Sequence, residues 1–151
     1  MKVERSFRNS TASIRAARRF VAEALAPAHA AEADAVVLMV SELATNSIRH
    51  AESDFTVALT TTRRQVRVEV TDHGTGAPAA RRPSPSELSG RGLLIVDKLA
   101  HRWGVRRQPS GSKTVWFTVP AHSPAGDGDA DSVDVRRSAS PNQPSLRYRL
   151  T

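Results

Sequence analysis

The chain has 151 residues and carries 22 Lys and Arg against 15 Asp and Glu, a formal net charge of +7. It has no Cys, which excludes disulfides, thiolate nucleophiles and Cys-ligated metal sites. No window approaches the ~18 apolar residues of a transmembrane helix and no signal-peptide pattern opens the sequence, so we expect a cytoplasmic protein without a membrane segment. The positive charge favours acidic partners, which include nucleic acids, nucleotides and acidic proteins.

Composition divides the chain near residue 120. Residues 121–151 are rich in Ser, Pro, Gly and Asp and have almost no apolar periodicity. Such a segment cannot bury enough apolar surface to offset the entropy of ordering, so we expect a disordered tail. Residues 1–120 are predicted to form one domain, a length that allows a core without disulfide or metal cross-links.

The first part of this domain has helical spacing. After a short strand at residues 3–7, apolar residues recur every three or four positions, and Ser10 or Thr11 can cap the helix they predict. Pro27 marks the end of that helix or the turn after it. A second helix is predicted over about residues 30–51, with Val36, Val40, Leu43 and Ala44 on one broad face.

The apolar period then changes to two. Alternation in FTVALT and QVRVEV predicts two strands joined around residues 62–64. LLIVDKLAHRW predicts a third helix, and RWGVRRQPSGSKTVWFTV predicts a final hairpin whose turn is QPSGS and whose Val115, Phe117 and Val119 face one way. This order suits an α+β fold, a two-layer α/β sandwich with a mixed, mainly antiparallel sheet and its helices on one face.

Three motifs contain polar residues that a purely structural design would not need. In the second helix, Glu42, Asn46 and His50 recur every four residues and share one stripe beside the apolar face. A carboxylate and an amide one turn apart suit metal or water coordination and proton abstraction. The same spacing is also typical of an ordinary solvated helix face, and His50 of a helix-end packing residue.

The other two motifs contain glycine. DHGTG at residues 72–76 follows a strand, so its glycines allow close backbone approach and Asp72 offers an acceptor; a plain turn is the alternative. GRG at residues 90–92 opens the third helix, whose free N–H groups suit a phosphate; a flexible helix start is the alternative. Neither motif is a P-loop or a Rossmann fingerprint.

Taken in order, these motifs resemble a known family. A helix with E-x-x-x-N, a strand ending in D-x-G-x-G, G-x-G opening a helix and a GSKTVWF strand resemble the histidine-kinase-like ATPases, which have the Bergerat nucleotide-binding fold, over roughly residues 1–120. ELATNSIRHA, GRGLLIVDKLAHRWGV and GSKTVWF are most similar to the anti-sigma factor serine/threonine-kinase group. The resemblance implies a regulatory protein that binds ATP and Mg²⁺ and phosphorylates an anti-sigma antagonist. A catalytically silent ATP-binding protein-interaction module is the alternative.

The resemblance also implies roles for matching residues. Asn46 would ligate the Mg²⁺ that bridges the nucleotide phosphates, and Glu42 would orient or deprotonate the attacking hydroxyl. Asp72 would accept the adenine amino group. Arg91 is expected near the β- or γ-phosphate from its position and charge. The other implied binding residues shape the adenine pocket, supply phosphate-side backbone at the end of the lid (residues 77–89), or supply a strand hydroxyl near adenine. They are Gly74, Gly76, Gly90, Gly92, Leu93 and Thr114.

The expected partners are a sigma factor, an anti-sigma antagonist or both, and the resemblance suggests a homodimer. We expect no two-component sensor kinase, because no phosphoacceptor-histidine helix precedes residue 30, and the short lid at residues 77–89 is a departure from better-known kinases of the family. Arg15, Arg18 and Arg19 of the first helix could dock a protein partner or form a solvated face. Nucleic-acid binding is not expected, because no zinc-ligand or helix-turn-helix pattern is found.

Overall fold

The computed structural model describes residues 1–50, 53–74 and 91–122. Within these ranges the chain forms five strands and three helices, which follow one another along the sequence as β1 (Lys2–Phe7), α1 (Ala12–Leu25), α2 (Ala30–His50), β2 (Phe55–Thr61), β3 (Gln65–Asp72), α3 (Arg91–Leu99), β4 (Arg102–Arg107) and β5 (Lys113–Pro120).

The strands form one sheet in the order β1-β2-β3-β5-β4. Its four neighbouring pairs are all antiparallel, so the parallel component that we expected is not found among the described strands. Hairpins join β2 to β3 and β4 to β5, and two helices separate β1 from β2 instead of the single helix of a parallel βαβ unit. The α+β fold class is confirmed.

Strand alternation gives the sheet one apolar face. The register places Val57, Val70, Val115 and Val105 opposite one another across four strands. The predicted inward residues Val115, Phe117 and Val119 are all buried. Residues at the alternate positions point to the other face, as the period of two requires.

The helices cover that apolar face as a second layer. α1 packs against β1, β2 and α2, whereas α2 also contacts β3, β5 and α3. The predicted apolar face of α2 is buried, which confirms the helical period, and its members at Val36, Val40, Leu43 and Ala44 are at most 2% exposed. The sandwich of one sheet and one helical layer is therefore the predicted one.

One helix end agrees with prediction in position and another differs from it. α1 begins at Ala12 with Thr11 at the N-cap, but no side-chain hydrogen bond caps it. The third helix was expected to reach Trp103, yet α3 ends at Leu99 and β4 begins at Arg102. The N–H of His101 donates to Thr118 O in β5, so pairing with the sheet takes over where the helical pattern continues in sequence.

The two residues after β5 are bonded to the rest of the domain. Ala121 N donates to Arg64 O at 2.9 Å and His122 N donates to Glu32 Oε1 at 2.6 Å, which fasten the chain beyond β5 to the β2–β3 turn and to α2. The predicted disordered tail lies outside the described residues from position 123 on. Among the helices that are described, none is long and apolar enough to span a membrane.

Candidate functional site

A cleft opens where β3 ends and β5 begins, between the sheet and helices α2 and α3. The space it encloses is about 10 Å³, room for about one water molecule, and reaches about 330 Å³ only when the adjoining open solvent is included. Two strands and two helices line it through Leu43, Asn46, Ser47, Val70, Asp72, Leu93, Lys113 and Val115. Apolar walls with a few polar groups between them are typical of small-molecule sites.

α2 presents Asn46 at the border between its buried and exposed sides. Leu43 and Ser47 are buried one turn apart, and Asn46 lies three residues after Leu43, next to that buried stripe. Asn46 is half-buried and lines the cleft, whereas Glu42 is half-buried without lining it in the described part of the chain. His50, the third residue of the predicted stripe, is also absent from that lining.

Gly92 lets the first turn of α3 lie directly against α2. A Cβ at position 92 would stand 2.9 Å from Asn46 Nδ2 and 3.2 Å from Glu42 Cβ. Only a residue without a Cβ allows this approach without displacing a neighbour. The contact brings together three residues that the sequence analysis singled out in two separate motifs, and Leu93 lines the cleft beside them.

Asp72 lies at the other wall, at the end of β3, and is paired with a lysine. The β3–β5 register places it opposite Lys113, whose Nζ is 3.5 Å from Asp72 Oδ2. The side chains of Asp72 and Lys113 are 8% and 15% exposed, so the two charges are largely shielded from water. The cleft therefore holds a carboxylate acceptor beside an ammonium donor.

Thr114 is not placed in this cleft. It is the residue after Lys113 in β5, so its side chain points to the opposite face of the sheet. There its hydroxyl lies 2.8 Å from that of Thr71, with which it shares a hydrogen bond. The structure thus separates Thr114 from Asn46, Asp72 and Gly92.

Gly74 lies just beyond β3, outside the lining of the cleft, and packs against Gly111. A Cβ at position 74 would stand 2.7 Å from the carbonyl oxygen of Gly111, in the β4–β5 turn. Gly111 has φ of 90°, a left-handed conformation that favours glycine. The two glycines therefore hold the end of β3 and the turn before β5 in contact.

The remaining predicted binding residues are described only in part. Gly76 and Gly90 lie outside the described residues, as does the whole lid at residues 77–89. Arg91 begins α3, but its side chain lies outside the described part of the chain.

The metal-ligating groups of the cleft suit a cation that is coordinated mainly by phosphate and water and by only one or two protein oxygens. In the described ranges, no group of three or more His, Asp or Glu side chains could hold a metal ion. Mg²⁺ commonly takes only one or two protein oxygens and completes its shell with phosphates and water. The Asn46 amide is one such oxygen source, so the residues present fit a Mg²⁺ that arrives with a phosphate ligand.

Sequence reasoning missed two polar residues that line the cleft, Ser47 and Lys113. Both could have been found from periodicity. Ser47 is four residues after Leu43 on the same buried face, and Lys113 has the same parity in β5 as Val115 and Phe117.

Comparisons with known proteins agree with this architecture. A family model described as the histidine kinase-like ATPase domain matches residues 7–119. No curated protein matches the chain at a significant level. Among solved structures, the chain is similar to the RsbU and RsbW domains of Rv1364c from Mycobacterium tuberculosis, with a TM-score of 0.64 and 20% identity over 83% of this chain. The match spans 34% of that longer chain, and at this identity the likeness concerns the fold alone.

Proposed function

Because this chain belongs to the histidine kinase-like ATPase domain family, we propose that it binds ATP with Mg²⁺ in the cleft between α2, α3, β3 and β5. We further propose that it is an anti-sigma factor with serine/threonine kinase activity toward an anti-sigma antagonist. Its expected partners are that antagonist, a sigma factor or both, and a second copy of the chain.

One observation carries the nucleotide proposal. Asn46, Asp72 and Gly92 belong to three segments that are distant in sequence; folding brings Asn46 and Asp72 to one cleft and Gly92 next to Asn46. The apolar wall residues can cover the faces of a flat base: Leu43, Val70, Leu93 and Val115. The buried carboxylate of Asp72 lies at one end of the cleft. The start of α3 and the Asn46 amide lie at the other end. The two ends therefore provide separate places for the base and for the phosphates.

The residues have distinct proposed tasks. Asp72 accepts a hydrogen bond from the adenine amino group, and the Asn46 amide oxygen would hold Mg²⁺ beside the phosphates. The metal, when bound, neutralises phosphate charge, which is the main requirement of phosphoryl transfer. Backbone N–H groups at the start of α3, around Gly92 and Leu93, face the phosphates. Glu42 accepts the proton of the attacking hydroxyl.

The kinase proposal rests on the similarity of ELATNSIRHA, GRGLLIVDKLAHRWGV and GSKTVWF to the anti-sigma kinase group, together with the presence of Glu42. One observation favours the alternative of a catalytically silent ATP-binding interaction module. Glu42 is half-buried against Gly92 and does not line the cleft in the described residues. The two functions share the nucleotide site and differ only in turnover.

Calorimetric titration with ATP, with and without Mg²⁺, tests the nucleotide site. Wild type should bind in a Mg²⁺-dependent manner, and Asn46→Ala should abolish that dependence. Asp72→Asn should weaken binding by about tenfold or more, because it removes a charged acceptor. Asp34→Asn changes an exposed carboxylate of α2 in the same way and should bind as wild type does. Equal affinities of the Asp72 and Asp34 variants would contradict the site.

Transfer of labelled phosphate from ATP to candidate antagonist proteins separates the kinase from the silent module. In the kinase, Glu42→Gln should keep ATP affinity within about twofold and lose most of the transfer rate, since general bases typically contribute 10²–10⁴-fold. ATP binding without transfer by wild type to any antagonist would favour the interaction module.

A further inference from the structure

The pair formed by Asp72 and Lys113 is the least expected feature of the cleft. The two residues are direct partners in the β3–β5 register, and both side chains line the cleft. Nζ lies 3.5 Å from Oδ2, longer than a good hydrogen bond but within ion-pair range. Within residues 1–50, 53–74 and 91–122, this contact leaves donors of the ammonium and acceptor positions of the carboxylate for a ligand.

Burial makes the remaining hydrogen-bonding capacity of this pair important. An ammonium has three donors, and a carboxylate has about four acceptor positions. One contact at 3.5 Å leaves most of this capacity to other partners. In a cleft with apolar walls, a ligand that completes these hydrogen bonds gains more than it would in water.

A donor and an acceptor side by side are complementary to two neighbouring atoms of a ring edge. Adenine has such an edge, with the 6-amino donor next to the N1 acceptor. Guanine in the same orientation would place its O6 acceptor against the carboxylate and its N1–H donor against the ammonium. Both contacts would then be repulsive, which is how a site rejects a close analogue.

We propose that Lys113 determines base specificity by donating a hydrogen bond to adenine N1 while Asp72 accepts one from the 6-amino group. This proposal rests on the proposed ATP site and assigns it a second base-reading residue. It also assigns the contact of β5 with the base to Lys113 instead of Thr114, because Thr114 points to the other face of the sheet.

1-Deaza-ATP, in which a C–H group replaces N1, tests the proposal on the unaltered protein. Titration of the full chain with ATP and with 1-deaza-ATP, at the same Mg²⁺ concentration, compares ligands that differ only at the acceptor. Wild type should bind ATP about tenfold or more tightly than 1-deaza-ATP, because the lost bond has a charged donor.

Lys113→Met should remove this preference, so that the two ligands bind within about twofold of each other. The ratio of affinities is informative even if the variant binds both ligands more weakly, since any loss from an unpaired Asp72 affects both. Lys98→Met replaces an exposed lysine of α3 and should keep the wild-type preference.

The outcomes distinguish the proposed role of Lys113 from the proposed ATP site. Equal binding of both ligands by wild type would overturn the role of Lys113 and leave the ATP site intact. A preference that persists in Lys113→Met would also overturn it. A folded wild type that binds neither ligand would overturn the ATP site and the specificity proposal together.

Discussion

Gly92 and Asn46 touch where the start of α3 meets α2, and a Cβ at position 92 would stand 2.9 Å from the Asn46 amide nitrogen. The nearest atoms include the end of a side chain that can rotate and, at 3.2 Å, the less movable Cβ of Glu42. The position of Asn46 in the cleft therefore depends on the absence of a side chain on another helix.

Gly92→Ala should consequently affect ligand binding more than stability. Alanine favours the helix by up to about 1 kcal/mol, which offsets part of the crowding. The free energy of unfolding should change by no more than about 1 kcal/mol, whereas Mg²⁺-dependent ATP affinity should fall about tenfold as Asn46 is displaced. Urea unfolding and calorimetry measure the two effects separately.

The matched control for this change is Lys98→Ala, at an exposed position of the same helix, which should alter neither quantity. Unchanged ATP affinity in Gly92→Ala would show that Asn46 does not need its observed position to bind the nucleotide.

Glu32 should make the stability of the domain depend on pH. Burial acts to raise the pKa of this carboxyl, but hydrogen bonds from the backbone and ring of His122 lower it below its usual value of 4.5. The unfolded carboxyl then takes up a proton at higher pH than the folded one. The stabilisation is therefore complete above about pH 4.5 and is lost as pH falls through the folded pKa.

Glu32→Gln should lower the free energy of unfolding by about 1–3 kcal/mol at pH 7, since it removes a buried charged acceptor. Because wild type loses the same contribution in acid, the two proteins should converge as pH falls below 4.5 and through the pKa of Glu32 in the folded protein. Urea unfolding at several pH values measures this difference. Glu23→Gln, at an exposed position of α1, should stay within about 0.5 kcal/mol of wild type. A difference that is constant with pH would contradict the assignment.

The basic side of α1 is available to a partner. Arg15, Arg18 and Arg19 are exposed, while Ala17, Val21 and other residues of the opposite side are buried. None of the three arginines lines the cleft. If an acidic protein surface docks here, charge reversal should weaken that complex without affecting the nucleotide site.

Reversal of two of these charges in Arg15→Glu/Arg18→Glu should reduce partner affinity about tenfold or more, with the larger loss at low salt. Calorimetry with ATP should give the wild-type value. Arg63→Glu/Arg64→Glu makes the same change in the exposed β2–β3 turn and serves as the control. Equal partner affinity in the two double variants would rule out docking on α1.

Much of the fold could be predicted because it depends on local periodicity. The helical spacing of Val36, Val40 and Leu43 and the alternation in QVRVEV arise from the geometry of each element alone. The errors occur where distant contacts compete with local preference. Residues 102 and 103 were predicted both to end the third helix and to begin the final hairpin, and pairing of Trp103 with Phe117 places them in β4.

The candidate site was predicted less evenly. Asn46, Asp72 and Gly92 were selected from motifs, and folding places them around one cleft or in direct contact with its lining. Thr114 was implied only by the family resemblance and lies on the other side of the sheet, because a shift of one residue in a strand reverses the face.

The helices, the strands, the two-layer arrangement and the motifs that contain the polar residues could all be read from side-chain period and composition. Which of these residues meet depends on how distant segments pack. The pairing of β3 with β5 places Lys113 beside Asp72, and the residues that follow β5 bring His122 to Glu32. Such contacts depend on strand register and on the packing of distant segments. Neither of these can be recognised from the periodicity of the local sequence.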